Sequence, residues 1–149
     1  MANTYTQILY HVVSSTKNRA HVLHGGNRDK LFRYIWGIHQ KLNCHLYRIN
    51  GVEDHVHILT SLHPTLALAD YMQKVKSGSS KWINDEAVFP GFEGWQDGYG
   101  AFTVSWKDKD SVIDYIKRQQ EHHADVSFVD EYKRMLETEG VRYDEKYLL

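Results

Sequence analysis

His55-Val56-His57 places two imidazoles two residues apart. Side chains alternate along a strand, so both rings leave one face while Val56, Ile58 and Thr60 leave the other. If Val56 and Ile58 pack beneath other elements, the histidines lie on an open face as two preset nitrogen donors for a divalent metal ion. Further along, Tyr115 and Gln119 stand four apart within VIDYIKRQ. On a helix that spacing puts a phenol and an amide oxygen on one side, one turn apart. A tyrosine there is also an ordinary packing residue beside Val112 and Ile116. With the histidine pair, however, the set suits attack by tyrosine on a DNA phosphodiester. A metal held by His55, His57 and the Gln119 carboxamide would bind a non-bridging oxygen and neutralise charge as the transition state forms. Tyr115 would be the nucleophile. A phenol has an ordinary pKa of about 10, so it needs activation by the metal-bound phosphate or by a base the sequence does not identify. A phosphotyrosine conserves bond energy, which favours strand transfer over hydrolysis.

Other uses of such histidines fail on named residues. A histidine-triad hydrolase would need a third histidine where Leu59 stands, and a 2H phosphoesterase would need two copies of His-x-Thr/Ser, which are absent. A cupin would need a downstream glutamate and a jelly roll of short strands, neither of which is evident.

The elements that must position these residues follow from periodicity. Tyr5 to Ser14 reads as a strand and Lys17 to Gly26 as a basic loop. Asn27 can cap a helix whose apolar residues Leu31, Ile35, Ile38 and Leu42 recur at helical spacing. His45 to Val52 and His55 to Leu62 form a hairpin about the Glu53-Asp54 turn. Pro64-Thr65 opens a second helix with Leu68, Met72, Val75, Ser79 and Trp82 on one stripe, followed by a fourth strand at Tyr99 to Ser105. Asp108 can cap a third helix running to about His123, and Ser127 a fourth, with Glu131 in its first turns and Gly140 at its end. Strand, helix, strand, strand, helix, strand is the split βαβ, ferredoxin-like α+β pattern. It folds as a four-stranded antiparallel sheet with both crossover helices on one face and the first and third strands central. The C-terminal helices, one carrying the tyrosine, are the available cover for the other face.

The 149 residues suit a single domain, 1–149. The formal net charge is -1, but residues 1–50 carry seven bases and one acid, so a basic surface is expected from the N-terminal half. One cysteine, Cys44, offers neither a disulfide nor a thiol pair for zinc, which fits a reducing, cytoplasmic setting. No stretch is apolar enough to span a bilayer, so no membrane role is expected.

The chain resembles the HUH single-tyrosine transposases of small insertion sequences that move as single-stranded DNA. The resemblance runs through YTQILYHVVSSTKNR at 5–19, GVEDHVHIL at 51–59, KSGSSKWIN at 76–84, WQDGYGAFTVS at 95–105, YIKRQQEHH at 115–123 and VRYDEKY at 141–147. It implies a homodimer, a Mg2+ or Mn2+ site built from His55, His57 and Gln119, and Tyr115 forming a 5'-phosphotyrosine with release of a 3'-OH. It also implies recognition of imperfect hairpins in single-stranded DNA at element ends, with Lys17, Arg19, Lys74, Lys76 and Lys81 as candidate phosphate contacts. In that family the tyrosine helix of one subunit can complete the site of the other, so the third helix need not cover its own sheet. His11, His63, His122 and His123 are expected to be supporting, surface or packing residues and not ligands, and Trp82, Trp95 and Trp106 to pack within the core or a dimer, with stacking on unpaired bases as the alternative. The alternatives are a non-catalytic hairpin DNA- or RNA-binding regulator of the same fold, and a replication or conjugation nickase. The first has no use for the His-His-Tyr-Gln set, and the second usually carries further domains.

Overall fold

A computed structural model describes residues 3–148. Strand β1 spans Leu9–Ser15, helix α1 Gly25–Lys41, β2 His45–Gly51, β3 His55–Ser61, α2 Leu68–Asp85 and β4 Gly100–Val104. Three helices follow: α3 over Lys109–Lys117, α4 over Gln119–His122 and α5 over Phe128–Thr138. The sheet is antiparallel in the order β2-β3-β1-β4, with β1 and β3 in the centre. This is the ferredoxin-like arrangement expected from the order of elements.

One face of the sheet carries the larger core. Val12, Val56 and Ile58 pack there with Leu31 and Ile35 of α1 and with Tyr71, Met72, Val75 and Ile83 of α2. The alternation along β3 therefore turns His55 and His57 to the opposite face, where both are fully buried. That face is covered in two parts. Ile116 of α3 packs on Leu9 and Leu59, while Phe128, Tyr132 and Leu136 of α5 pack on Val13 and Phe102. Burying an isoleucine of this size contributes about 1.5–3 kcal/mol, enough to seat α3 on its own chain. The helix that bears Tyr115 thus lies on its own sheet, as part of the cover that the order of elements offers for that face.

Several boundaries differ from those read off the sequence. Strand β1 starts at Leu9, because β4 pairs with it only from Leu9↔Val104 onward. Asn27 lies inside α1, where its side chain donates to the Val88 carbonyl at 2.8 Å, and His24 holds the cap position. Helix α2 begins at Leu68 after an extended Ala67, and its buried stripe includes Tyr71 and Ile83, with Trp82 half-buried against Tyr34. The third helix breaks at Arg118, which leaves helical geometry at φ -97°, ψ 21°. Asn50 on β2 explains where the break falls. Its Nδ2 donates to the carbonyls of Ile116 and Lys117 at 2.9 and 3.2 Å, two of the groups a helix end leaves without partners. Gln120 closes the clamp, donating to Asn50 Oδ1 and the Gly51 carbonyl, each at 2.9 Å.

Candidate active site between the sheet and the C-terminal helices

Strand register fixes the floor of the site. His57 stands opposite Val13 on β1 and Asn50 on β2, and His55 opposite Ser15. Two carboxylates and a third histidine orient the rings. Asp54 Oδ1 accepts from His55 Nδ1 at 2.7 Å. His57 Nδ1 faces His11 Nε2 at 2.8 Å, and its Nε2 faces Glu131 Oε1 at 3.0 Å. Phe128 stacks on His55 with ring centroids 4.1 Å apart, closing the side toward α5.

Tyr115 and Gln119 both arrive here. The Tyr115 hydroxyl donates to Glu131 Oε2, as does Gln119 Nε2 at 3.1 Å. Gln119 Oε1 lies 3.1 Å from His55 Nε2. The break at Arg118 leaves the two side chains on one side, as the spacing of four predicts. Tyr115 is half-buried and lines two neighbouring clefts. One is shared with His11, His122, Arg134 and Met135, the other with Ser111, Asp114 and Arg118, so the phenol is approachable from outside while the histidines are not.

Glu131 is the residue sequence reasoning missed. It is 3% exposed, and its Oε1 is approached by His57 Nε2 and His123 Nε2 at 3.0 Å and by His55 Nε2 at 3.3 Å. A signal was present. Phe128, Glu131, Tyr132 and Met135 share the i, i+3, i+4, i+7 stripe of α5, and an acid inside an apolar stripe is the kind of buried polar group that calls for a partner. His123, expected not to be a ligand, also belongs here, because its Nδ1 on the Val126 carbonyl at 2.6 Å turns Nε2 toward Glu131 and the histidine pair.

Charge follows from these contacts. Burial disfavours the ionised Glu131, but the surrounding imidazoles outweigh it and hold the carboxyl far below its usual range. Burial likewise opposes a charged His55, yet its bonds to Asp54 and Glu131 raise its pKa above the ordinary value. His57 goes the other way, because burial outweighs the attraction of Glu131. Burial, aided by its bond to the Glu131 carboxylate, raises Tyr115 well above the ordinary phenol range, so the resting side chain is protonated at neutral pH.

His55, His57, His123 and Glu131 can each offer one ligand atom, and these atoms all lie within 4.8 Å of one another. Imidazole nitrogens with a carboxylate oxygen form a donor set that fits a divalent metal ion. The Asp54-His55 pair is also the outer-sphere arrangement that orients a metal-binding histidine.

The candidate phosphate-contact residues lie elsewhere. Lys17 and Arg19 are exposed in the turn after β1, on either side of the left-handed Asn18. Lys74, Lys76 and Lys81 belong to α2, which covers the sheet face opposite the histidines. The Lys76 ammonium is occupied by the carbonyls of Gln96 and Gly98 at 2.7 and 2.5 Å, and Lys81 pairs with Asp85. Trp95 packs inward with Nε1 on Ser79 Oγ, whereas Trp106 is half exposed beneath the Lys109 ammonium.

Comparison with known proteins places this combination of sheet, paired histidines and tyrosine-bearing helix in a family. Residues 4–119 match the model of the IS200-like transposase family, and the chain belongs to that family. The match ends at Gln119, so it includes both histidines, the tyrosine and the glutamine but not His122, His123 or Glu131. The transposase for insertion sequence element IS200 of Salmonella typhimurium is 25% identical over 126 residues, covering 81% of this chain and 82% of that one. The ISDra2 transposase TnpA of Deinococcus radiodurans is 26% identical over 122 residues, covering 77% and 86%. Two solved structures share the fold. A candidate transposase of Deinococcus radiodurans R1 superposes with a TM-score of 0.61 at 24% identity, covering 80% of this chain and 96% of that one. A REP-associated tyrosine transposase bound to a REP hairpin gives 0.62 at 15% identity, covering 85% and 76%.

Proposed function

We propose that this transposase cleaves and rejoins single-stranded DNA at the ends of an insertion sequence through a covalent tyrosine intermediate. The observation that supports this most is the meeting of His55, His57, Tyr115 and Gln119 around one buried carboxylate between the sheet and the C-terminal helices. In the reaction, Tyr115 Oη bonds to phosphorus while the bond to the 3'-oxygen breaks. The products are a 5'-phosphotyrosine and a 3'-oxygen that leaves protonated as a free 3'-OH. The phenol proton, hydrogen-bonded to Glu131 in the resting protein, is lost as the leaving 3'-oxygen gains one, so protons balance.

His55 and His57, with Gln119, Glu131 or His123 completing the set, would hold a Mg2+ or Mn2+ ion. When bound, such an ion would supply positive charge that offsets the negative charge developing on a phosphate and favours the ionised phenol. Asp54 and His11 keep the two imidazoles aimed. Phe128 and α5 exclude water from the buried side, and the clefts beside Tyr115 admit the strand.

Hairpin DNA is the proposed partner, supported by family membership and by the REP hairpin bound to the structural neighbour. Homodimerisation belongs to the same proposal. The outer edges of β2 and β4 have no strand paired to them among the described residues and leave backbone groups for a second copy.

The test uses a labelled single strand carrying element ends, with Mn2+ or EDTA, and a denaturing gel. A metal-dependent covalent adduct, absent with Tyr115→Phe, is expected. If hairpins bind with no adduct under any metal, the reading gives way to a hairpin-binding regulator of the same fold.

A further inference from the structure

Two of the seven bases in residues 1–50, Arg33 and Arg48, line an open groove between α1 and the edge strand β2. Phe32 and Trp36 of α1 and Tyr47 of β2 line it with them. Its volume of about 280 Å³ lies below the roughly 300–1,000 Å³ usual for a small-molecule pocket, and it is open to solvent, so it suits one section of an extended chain.

Local structure brings these side chains together. Phe32, Arg33 and Trp36 each follow closely on Leu31 and Ile35, the residues that α1 buries, and so stand where the helix surface leaves the core. On β2 the pairing with β3 slips between Leu46 and Arg48, a bulge that makes Tyr47 the extra residue. A bulge also interrupts the regular backbone edge that a further strand would need.

The groove is aromatic, cationic and without partners. Trp36 is 52% exposed, and no ring among the described residues stacks on it, whereas Trp82 stacks on Tyr34 and Trp95 meets Phe92. Arg48 Nε is shielded from solvent with no hydrogen-bond partner. Among the described residues Arg28 and Arg118 are paired with carboxylates, Arg33 and Arg48 are not, and no carboxylate lines the groove. Around the same edge Tyr47 meets Trp106 at 6.3 Å between ring centroids, and Trp106 is itself half exposed beneath Lys109. Open ring faces interleaved with cations match a nucleic-acid single strand, whose bases stack on the rings while its phosphates meet the charges. A second copy fits less well, because a two-fold contact would set arginine against arginine.

We propose that this groove binds an unpaired segment of single-stranded DNA, with a base stacked on Trp36 and phosphates held by Arg33 and Arg48. None of these residues belongs to the centre around Tyr115, so the groove grips the strand away from the scissile bond. The choice of ligand rests on the strand-transfer reading above.

A labelled oligothymidylate of about ten nucleotides, which forms no hairpin, is titrated with the full chain in EDTA and followed by fluorescence anisotropy. Trp36→Ala should weaken binding about tenfold through loss of one stacked base. Arg33→Gln and Arg48→Gln should each reduce the slope of log K against log salt by about 0.7. Trp36 and Arg33 are exposed, so their variants carry the test if Arg48→Gln does not fold. Unchanged affinity and slope in the folded variants, or no binding by the wild type, overturns the proposal. So does a loss of dimer in sedimentation velocity with oligothymidylate affinity unaltered, which assigns the groove to a second copy. Failure of the wild type to form the Tyr115 adduct, with the oligothymidylate results as expected, would sink the cleavage reading and leave the groove standing.

Discussion

Gly100 opens β4 directly beneath α5, and adding one methyl group there tests whether that helix supports the site. A Cβ built at Gly100 would meet Tyr132 Cε1 at 2.7 Å and its Oη at 2.9 Å. The ring must give by about 0.7 Å to regain an ordinary contact of 3.4 Å. It has little room to do so. Tyr132 is stacked on Phe128 at 5.4 Å, and Phe128 on His55 at 4.1 Å, so the displacement is passed along the stack toward the histidines. Overpacking of this kind costs about 1–3 kcal/mol. For a domain of this size each kcal/mol lowers Tm by about 2–4 °C, so Gly100→Ala should melt about 2–12 °C lower in calorimetry. Tyr132→Leu removes the clashing ring, and the double variant should lose less stability than the two single losses together. An unchanged Tm in Gly100→Ala, or strictly additive losses in the cycle, would refute the claim that this contact transmits strain.

Gly51→Ala should be more damaging, because its Cβ would meet the backbone oxygen of His55 at 2.3 Å, which no side-chain movement relieves. Loss of cooperative folding, or a melting temperature far below that of Gly100→Ala, is the expected calorimetric result. Asn50→Ala strips two carbonyls at the end of α3 of their donor and should cost about 1–3 kcal/mol in urea denaturation, with faster hydrogen exchange at Ile116 and Lys117. The protein should also lose stability in mild acid through His39. Burial lowers its pKa below the ordinary 6.5, so between those two values the unfolded chain holds more protons and stability falls as pH drops. His39→Gln should flatten the dependence of urea midpoint on pH below 6.5, and an unchanged slope would exclude this group as the cause.

The fold was legible because both periods in the sequence are clear. Alternation along His55–Ser61 separated Val56 and Ile58 from the histidines, and the structure keeps that separation through the whole sheet. The spacing of Tyr115 and Gln119 brought them to one side despite the break at Arg118, since both end on Glu131. What was illegible depended on contacts between distant segments. Asn50 reads as an ordinary strand residue, and only the approach of α3 shows why the helix stops where it does. Glu131 reads as an acid in the first turn of a helix, where the dipole favours one. Its depth is set by Phe128 and Tyr132 packing against β1 and β4, a tertiary fact with only an indirect trace in the stripe. Lys76 similarly reads as a free cation until the turn at Gln96 and Gly98 folds over it.

The central claim is that Tyr115 is the nucleophile of a metal-dependent strand transfer. Mass spectrometry of the protein after incubation with a single-stranded element end and Mn2+ tests it most directly. The account predicts an oligonucleotide attached through a 5'-phosphate to Tyr115, absent with EDTA and absent in Tyr115→Phe. An adduct at another residue, or full strand cleavage by Tyr115→Phe, would contradict it.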